Sequence, residues 1–328
     1  DHRDLHSFPT RRSSDLEYEV YFNGVKIGAT ATFPPDEFSM WNFPRHYLIP
    51  HGSIRQGAIN VISVRIHGTI FFDVMGTLAI TNYQDWISDK ILENLFTIIF
   101  NYGIILIHIP LLLLFGMIYL RRRGEEEYLY YCLQLFFGLF AVLETCAYYN
   151  IYFNHLFRMK LLLFSWAAAV IFHQVFLHRI YNLKRKKIEI SFWGYLGFIF
   201  IAMLFLKGRL SEMPIALALI IITTCIGFYN ISCHISGFRK RMPYVTIFSI
   251  LDIIMIVSAM HDGVAYLLKL SPYEIHFKSG IFTRMIIGYG HIPFFLGAAF
   301  VLIHRFVNTL DHKDRKSTRL NSSHVSQS

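Results

Sequence analysis

Long uninterrupted runs of apolar residues dominate the chain from about residue 96 onward. Most of them approach the ~20 residues that a transmembrane helix requires, and the fourth does so only if its helix begins near Glu189. The pattern predicts seven membrane-spanning helices; buried helices of a soluble protein are the alternative, which the basic ends of the runs disfavour. The runs are roughly Phe96–Leu120, Tyr128–Tyr149, Lys160–Tyr181, Phe192–Leu206, Met213–Ile235, Tyr244–Leu268 and Met285–Phe306.

A strand-like pattern precedes these runs. From about residue 17 to residue 80, β-branched and aromatic residues alternate with Gly, Pro and Asn, which is typical of short strands and turns. Asn23-Gly24, between EYEVYF and VKIGATA, predicts a two-residue type I′ hairpin. The segment NVISVRI places an apolar residue at every second position, as in a half-buried strand. Because a free-standing β-sandwich needs roughly 100 residues, we predict a partial β-sandwich.

Both ends of the chain are similar to translated DNA-library adapter. Asp1 to Leu16 can be encoded by one common short-read adapter, and Asp314 to His324 by its partner. The codons that fit Arg12 to Asp15 contain GCTCTTCCGATC, the reverse complement of GATCGGAAGAGC, which fits Asp314 to Ser317. Paired adapters share such a stem. We therefore expect the natural part to be Glu17 to Lys313, cut at both ends.

The predicted domain organisation follows from these three patterns. Residues 1–16 are predicted to be adapter artefact, and residues 17–82 are predicted to be the C-terminal part of the β-sandwich domain. Residues 83–310 are the seven-transmembrane domain, which opens with Tyr83 and Trp86, residue types enriched at membrane interfaces. Residues 311–328 are a short cytoplasmic stub followed by adapter artefact.

Basic residues near the run ends predict the orientation, because Lys and Arg are retained in the cytoplasm. Eleven of them lie in the connections between runs one and two, three and four, and five and six, against seven in the alternate connections. This bias places the β-rich domain outside and the C-terminus in the cytoplasm. The eleven are Arg121, Arg122, Arg123, Arg179, Lys184, Arg185, Lys186, Lys187, Arg239, Lys240 and Arg241; the seven are Arg158, Lys160, Lys207, Arg209, Lys269, Lys278 and Arg284.

Composition agrees with a membrane protein and excludes other classes. The chain is 54% hydrophobic and 16% charged, whereas soluble domains average roughly 45–50% and about 25%. The net charge of +9 comes from short clusters such as Lys184–Lys187, so topology explains it, with anionic lipid headgroups as an alternative partner and no nucleic acid. The four cysteines lie in apolar stretches, which excludes a disulfide scaffold and a thiolate zinc cluster. We expect no cofactor.

Ionisable residues inside the runs are costly in lipid and mark candidate sites. The principal ones are Glu144, Asp252, His261, Asp262 and His291. All except Asp252 lie about five to seven residues from the predicted outer ends, so they can share one layer. One interpretation is an outward-facing polar pocket or a carboxylate and imidazole metal site. The other, which we favour, is a buried hydrogen-bonded cluster that fixes helix packing; the metal, if any, is unknown.

Other residues in the runs have structural interpretations. His108 and His173 are interpreted as satisfied core histidines. Small residues permit close helix contacts in membranes, and those expected to do so are Gly194, Gly197, Gly288, Gly290 and Gly297.

The β-rich region offers a weak candidate ligand site. Trp41 and Tyr47 are aromatic surfaces of the kind that sugars stack on, and Arg45 and Arg65 are hydrogen-bond donors. The competing interpretation makes Trp41 a core anchor and Arg65 a solvated residue on the sheet.

The order of these features resembles a known family. FNGVKIGATATFPPDEFSMWNFPRHYLIP is followed by GAINVISVRI and then by seven apolar runs, which is similar to bacterial seven-transmembrane receptors with diverse intracellular signalling modules. The residues that carry the resemblance are Asn23-Gly24, Gly28, Phe33-Pro34-Pro35, Trp41, Pro44-Arg45, Tyr47 and Ile49-Pro50. The resemblance implies that residues 17–82 are the C-terminal part of an extracellular jelly-roll-like domain and that a cytoplasmic output module follows the last helix.

The sequence therefore predicts a sensor in a bacterial inner membrane that is not itself an enzyme. Its expected partners are the lipid bilayer, an unknown small-molecule or carbohydrate ligand, and a signalling module on the same chain. Two alternatives stay open. One is an intramembrane metal-dependent hydrolase that uses Glu144, His261, Asp262 and His291, and the other is a transporter that uses the same residues as a polar pathway.

Overall fold

Helices make up most of the described part of this chain. The structure is a computed structural model, and it describes residues 7–10, 16–30, 45–68, 99–145, 155–207, 213–270 and 287–325, with residues 80, 87, 91 and 95. The predicted interface residues Tyr83 and Trp86 lie outside this set. The strand Ser7–Thr10 and residues 314–324 of the last helix fall in the stretches with a predicted adapter origin.

Each predicted apolar run contains a helix in the structure. Among the described residues, five segments are long and apolar enough to cross a membrane: Asn101–Arg121, Leu156–Ile180, Lys186–Phe205, Ala218–Arg239 and Gly290–Leu310, with Val245–Ser258 as a shorter apolar helix. Seven spans remain a prediction. The helices are α1 (Phe100–Arg121), α2 (Glu126–Thr145), α3 (His155–Ile180), α4 (Lys186–Phe205), α5 (Met213–Phe228), α6 (Asn230–Arg239), α7 (Val245–Leu270) and α8 (Ile287–Val325).

Two details explain how the helices differ from the apolar runs. Glutamates 126 and 127 lie in the first turn of α2, and this helix is not among the five segments found in the described residues. Helix α4 begins at Lys186, before Glu189, so the fourth run reaches a spanning length. Helices α5 and α6 follow each other with only Tyr229 between them. Together they correspond to the fifth predicted apolar run.

The ends of α3 and α6 show how the chain turns at the basic side. Asn182 and Arg241 take left-handed φ angles of 49° and 50°. The amide of Leu183 donates to the His178 carbonyl at 2.8 Å, and the amide of Met242 donates to the Gly237 carbonyl at 3.0 Å. These are Schellman caps, in which a left-handed residue lets a later amide satisfy a helix-terminal carbonyl.

Aromatic residues fill the centre of the bundle. Phe115 of α1, Tyr131 of α2, Phe176 of α3, Phe248 of α7 and Phe294 of α8 are all fully buried and belong to one cluster. Large apolar side chains also cover the outside, such as those at positions 106, 205 and 300, which are 71%, 73% and 67% exposed. Apolar surface of this extent needs an apolar surrounding, as a bilayer provides.

Two of the glycines expected at helix contacts do sit at them. A Cβ on Gly297 would lie 2.7 Å from Leu251 Cδ1, and one on Gly290 would lie 2.8 Å from Ser258 Oγ, so α7 and α8 approach closely there. The expectation is wrong for Gly194 and Gly197 within the described part of the chain, because no described atom there lies within 4 Å of a Cβ at either position. The surroundings of Gly288 are outside the described residues.

Gly297→Ala should destabilise the bundle by about 1–3 kcal/mol, because the added methyl group overpacks the buried Leu251 side chain. Gly194→Ala is the matched control: it adds the same atoms in open space and should be neutral or stabilising by up to about 1 kcal/mol through helix propensity. Unfolding of each variant in detergent micelles by added dodecyl sulfate gives both values. Equal effects at the two positions would contradict the close α7–α8 contact.

The N-terminal strands form two small sheets. Strands β2 (Leu16–Phe22), β3 (Val25–Thr30) and β5 (Ile62–Gly68) make an antiparallel sheet in the order β3-β2-β5, and β1 (Ser7–Thr10) pairs with β4 (Arg45–Leu48). The predicted NVISVRI strand is confirmed as β5. The described strands amount to a three-stranded sheet and a separate pair rather than a β-sandwich, so the jelly-roll assignment stays a prediction.

The predicted hairpin is confirmed at Asn23-Gly24. These two residues have φ angles of 50° and 82°, as a type I′ turn requires. The Asn23 side chain also anchors the neighbouring loop: its Nδ2 donates to the Ser53 carbonyl at 2.8 Å, and its Oδ1 accepts from the Val61 amide at 2.9 Å.

Candidate functional site

The candidate ligand residues of the β-rich region are not brought together by the described structure. Trp41 lies outside the described residues, and Arg45 is described only as part of the β4 backbone. Tyr47 is 8% exposed. Its hydroxyl bonds to Thr30 Oγ1, and its ring lies where a Cβ on Gly28 would be. Tyr47 therefore packs on β3 and does not present an open aromatic face.

Arg65 belongs to a charged group on the three-stranded sheet. Its Nη1 lies 3.1 Å from Glu19 Oε2, and Lys26 Nζ lies 2.6 Å from Glu19 Oε1. The hydrogen bond from Lys26, with those from Tyr21 and Arg65, lowers the pKa of Glu19 below its usual range. Because the Arg65 side chain is 64% exposed, it is a solvated residue on the sheet with a local ion pair.

The predicted outer polar layer is only partly described. The side chains of Glu144 and Asp262 lie outside the described residues, although their backbones are in α2 and α7. His261 and His291 are half-buried on α7 and α8. The His291 ring stacks on Phe295, with ring centres 5.8 Å apart. The meeting of these residues in one layer remains a prediction.

Asp252 instead forms a buried site with two histidines that the sequence analysis did not assign to it. Its Oδ1 lies 3.1 Å from His173 Nε2 of α3, and its Oδ2 lies 2.6 Å from His234 Nε2 of α6. The three residues are only 2%, 8% and 7% exposed. One carboxylate thus joins three helices in the interior of the bundle.

Each histidine has a second polar partner on its far side. His173 Nδ1 lies 3.4 Å from Gln134 Oε1 of α2, and His234 Nδ1 lies 3.0 Å from the Tyr181 hydroxyl. Gln134 and Tyr181 are also buried. We call this group of five, Gln134, His173, Tyr181, His234 and Asp252, the carboxylate–histidine site.

A second network lies next to it at the basic ends of the helices. Glu189 of α4 accepts from His178 Nδ1 at 2.8 Å and from both terminal nitrogens of Arg179 at 2.6 and 2.9 Å. The Nε of Arg179 also donates to Glu126 Oε2 of α2 at 2.6 Å. The His178 Nε2 lies 3.1 Å from the Tyr229 hydroxyl. The network therefore ties α2, α3 and α4 to the junction of α5 and α6.

A third set of contacts holds α8 where it passes the basic ends of the other helices. Arg305 Nη2 lies 2.8 Å from Glu127 Oε1 of α2. Arg122, just after α1, lies over the Phe306 ring at 4.5 Å. His304 Nδ1 lies 2.9 Å from the hydroxyl of Tyr244, which immediately precedes α7. Three separate elements thus contact α8 within three consecutive residues.

These arrangements join the helices through buried hydrogen bonds. Within the part of the chain that the structure describes, no group of three His, Cys, Asp or Glu residues is placed to hold a metal ion. Both histidines direct Nε2 at the Asp252 carboxylate itself, at hydrogen-bond distance. Charged and neutral hydrogen bonds in a low-dielectric interior hold such a cluster in one geometry.

No family model, no curated protein and no solved structure matches the chain. Its function is therefore inferred from the residues and contacts above, together with the resemblance that the sequence carries.

Proposed function

We propose that the chain is a multi-pass receptor of a bacterial inner membrane. In this proposal a ligand acts on the β-rich region outside, and the helix bundle passes the signal to a cytoplasmic module that follows α8. The seven-transmembrane receptors that the sequence resembles have this organisation. The observation that carries the proposal is the set of contacts that three other parts of the bundle make with residues 304 to 306 of α8.

Helix α8 is suited to transmit a change along the bundle. On one face, Phe294, Ala298 and Leu302 are buried at every fourth position, while Phe300 on the opposite face is exposed. The helix continues past the basic ends of its neighbours, where Arg305 meets Glu127. A displacement of α8 must change this ion pair and the packing of the buried face together.

Signalling requires two states of the bundle that a ligand distinguishes. The ion pair of Arg305, the Arg122–Phe306 contact and the Tyr244–His304 hydrogen bond favour the state described here. A ligand that favours another position of α8 must weaken some of these contacts. In this proposal, helix α8 is the structural element that couples the two ends of the bundle.

The predicted orientation gives the test of this proposal. We expect a cysteine at exposed position 51, in His51→Cys, to react with a membrane-impermeant maleimide in intact cells. Cysteines at exposed positions 123 and 187, in Arg123→Cys and Lys187→Cys, should react only after the membrane is permeabilised. The background for all three is the full chain with Cys132, Cys146, Cys225 and Cys233 replaced by serine.

The two inner positions serve as controls for each other, because they lie in different connections. Labelling of positions 51 and 187 from the same side would overturn the receptor topology. Reaction of all three positions only after permeabilisation would contradict an external β-rich region.

A transporter is the second candidate, because an ionisable cluster at membrane depth is typical of ion and proton pathways. The carboxylate–histidine site is such a cluster. Proteoliposomes that hold a pH-sensitive dye distinguish the two candidates: a transporter dissipates an imposed proton gradient, whereas a receptor does not.

A further inference from the structure

We propose that the bundle carries a binding surface for anionic phospholipid, formed where two basic segments of the chain meet. We call this surface the basic patch. It consists of residues 184–187, around the start of α4, and residues 239–241, around the end of α6. The proposal goes beyond the receptor function. It requires only that the bundle lies in a membrane, and it holds whichever end of the bundle faces the cytoplasm.

The two basic segments are far apart in the sequence, and contacts across the bundle bring them together. Lys240 Nζ donates to the carbonyl of Asn182, just before the first segment, at 2.8 Å. Arg185 reaches α6, where its Nη1 donates to Ser232 Oγ at 3.0 Å and its Nη2 donates to Ser236 Oγ. All seven residues of the two segments are Lys or Arg, so positive charge is concentrated at this place.

The charge of the basic patch is not neutralised by the described part of the chain. Among the described residues, no carboxylate forms an ion pair with any of its seven members, whereas Arg122, Arg179 and Arg305 at the same end of the bundle each contact a glutamate. The guanidinium of Arg185 bonds to three hydroxyl groups. Hydroxyls accept its hydrogens but carry no charge. The patch is therefore suited to an anion that comes from outside the bundle.

Retention of basic residues on one side of the membrane does not account for this arrangement. The positive-inside bias depends on the number of Lys and Arg near the span ends, and acidic residues contribute little to it. Arg122 and Arg179 serve that bias although each has a glutamate partner. The meeting of the two segments and their lack of carboxylate partners are additional observations, and both favour the binding of an anion.

The basic patch also lies where two candidate spans change from apolar to polar. Lys186 is the first residue of one span, and Arg239 is the last residue of another. One turn into each span, Ile190 is 60% exposed and Ile235 is 48% exposed. Residues four apart share a helix face, so each of these faces passes from a cation to exposed apolar side chains.

This combination is complementary to a phospholipid with a negative headgroup. The headgroup contacts the basic side chains at the end of the spans, where anionic lipids are attracted to Lys and Arg, and the acyl chains cover the apolar side chains below. A soluble phosphate, an acidic peptide or a nucleic acid would neutralise the charges but leave the apolar faces uncovered. The structure therefore favours a lipid over these partners.

Trp193 provides a reporter for a lipid bound at the patch. It lies seven residues after Lys186 on the same face of α4 and is 36% exposed. At 1.5 Å per residue it is about 10 Å from Lys186 along the helix axis, which is the depth of the middle of an acyl chain below its headgroup. Bromine atoms at the middle of a chain quench a tryptophan that they contact.

The test uses the full chain with Trp41, Trp86 and Trp166 replaced by phenylalanine, so that Trp193 is the fluorophore. The chain is placed in vesicles of phosphatidylcholine that contain increasing shares of brominated phosphatidylglycerol or, separately, of brominated phosphatidylcholine. We expect the anionic lipid to associate with the surface beside Trp193 about tenfold more strongly, since each basic residue near the headgroups contributes about fivefold when fully effective.

Two double variants locate the source of this preference. Lys186→Gln combined with Arg239→Gln changes the basic patch at two exposed positions, and should reduce the preference for the anionic lipid to about twofold or less. Arg121→Gln combined with Arg123→Gln is the matched control: it removes the same charge from exposed positions at the same end of the bundle, outside the patch. The control should keep the preference within about twofold of the wild-type value.

Three results would overturn the proposal. One is equal quenching by the two brominated lipids in the unsubstituted chain. Another is an equal loss of preference in both double variants, because net charge would then attract the lipid. The third is full displacement of the anionic lipid by free glycerol phosphate, which would make the partner a soluble phosphate.

The result is independent of the topology test. Vesicles hold the chain in both orientations, and the fluorescence of Trp193 reports on both. A failed lipid preference leaves the receptor topology intact, and a failed topology leaves the lipid site intact.

Discussion

Asp252→Ala is expected to destabilise the helix bundle by about 3–5 kcal/mol, because it leaves two buried histidine ring nitrogens without their hydrogen-bond partner. The substitution leaves His173 and His234 buried, each facing the space that the carboxylate filled. Unfolding of the full chain in detergent micelles by added dodecyl sulfate, followed by tryptophan fluorescence, measures the effect.

Two controls separate the charge from the loss of volume. Ile253→Ala, at the neighbouring exposed position, should have a small effect in micelles. Simultaneous replacement of Asp252, His173 and His234 by leucine should recover much of the stability, because apolar residues often replace buried ion pairs at little cost. A loss for Asp252→Ala no larger than that for Ile253→Ala would show that the carboxylate–histidine site contributes nothing to stability.

Glu189→Ala is expected to have the second largest effect, about 2–3 kcal/mol. The Glu189 side chain is 12% exposed and accepts three hydrogen bonds, two of them from the Arg179 guanidinium. Its removal leaves His178 Nδ1 unpaired and takes two charge-assisted bonds from Arg179, and each such loss costs about 1.5–3 kcal/mol before relaxation. The same unfolding assay measures the effect.

Glu126→Ala is the matched control, because Glu126 binds the same guanidinium from the other side. Its side chain is 54% exposed, and exposed ion pairs contribute about 0–1 kcal/mol. A small effect for Glu126→Ala beside a large one for Glu189→Ala is the expected result. Equal effects would mean that burial of Glu189 does not strengthen its bonds.

The helices and the hairpin were predictable because they depend on local sequence. A run of about twenty apolar residues has to be helical in lipid, where every backbone group must be satisfied within the segment. Asn23-Gly24 takes the positive φ angles that a tight hairpin needs, whatever surrounds it. The packing glycines were less predictable, since Gly194 and Gly297 look alike in sequence and only the neighbouring helix distinguishes them.

The carboxylate–histidine site could not be read from the predicted outer layer, because its residues lie near the opposite, basic ends of the helices. His173, His234 and Asp252 lie five to seven residues from the helix ends at Ile180, Arg239 and Val245. Counting from these basic ends places the three at one depth. His234 also lies in a polar stretch, ISCHIS, beyond the most apolar part of its run, and so carried no signal of burial by itself.

The close approach at Gly297 restricts how α8 can move. A turn of the helix by one residue, about 100°, would replace this glycine with Leu296 or Ala298 against Leu251. Leu296 has far too large a side chain for the gap that a single Cβ already overfills. Sliding along the axis or pivoting about Gly297 keeps the glycine near its neighbour. Under the proposed receptor function, α8 is therefore expected to slide or pivot, because rotation by one residue is sterically blocked at this contact.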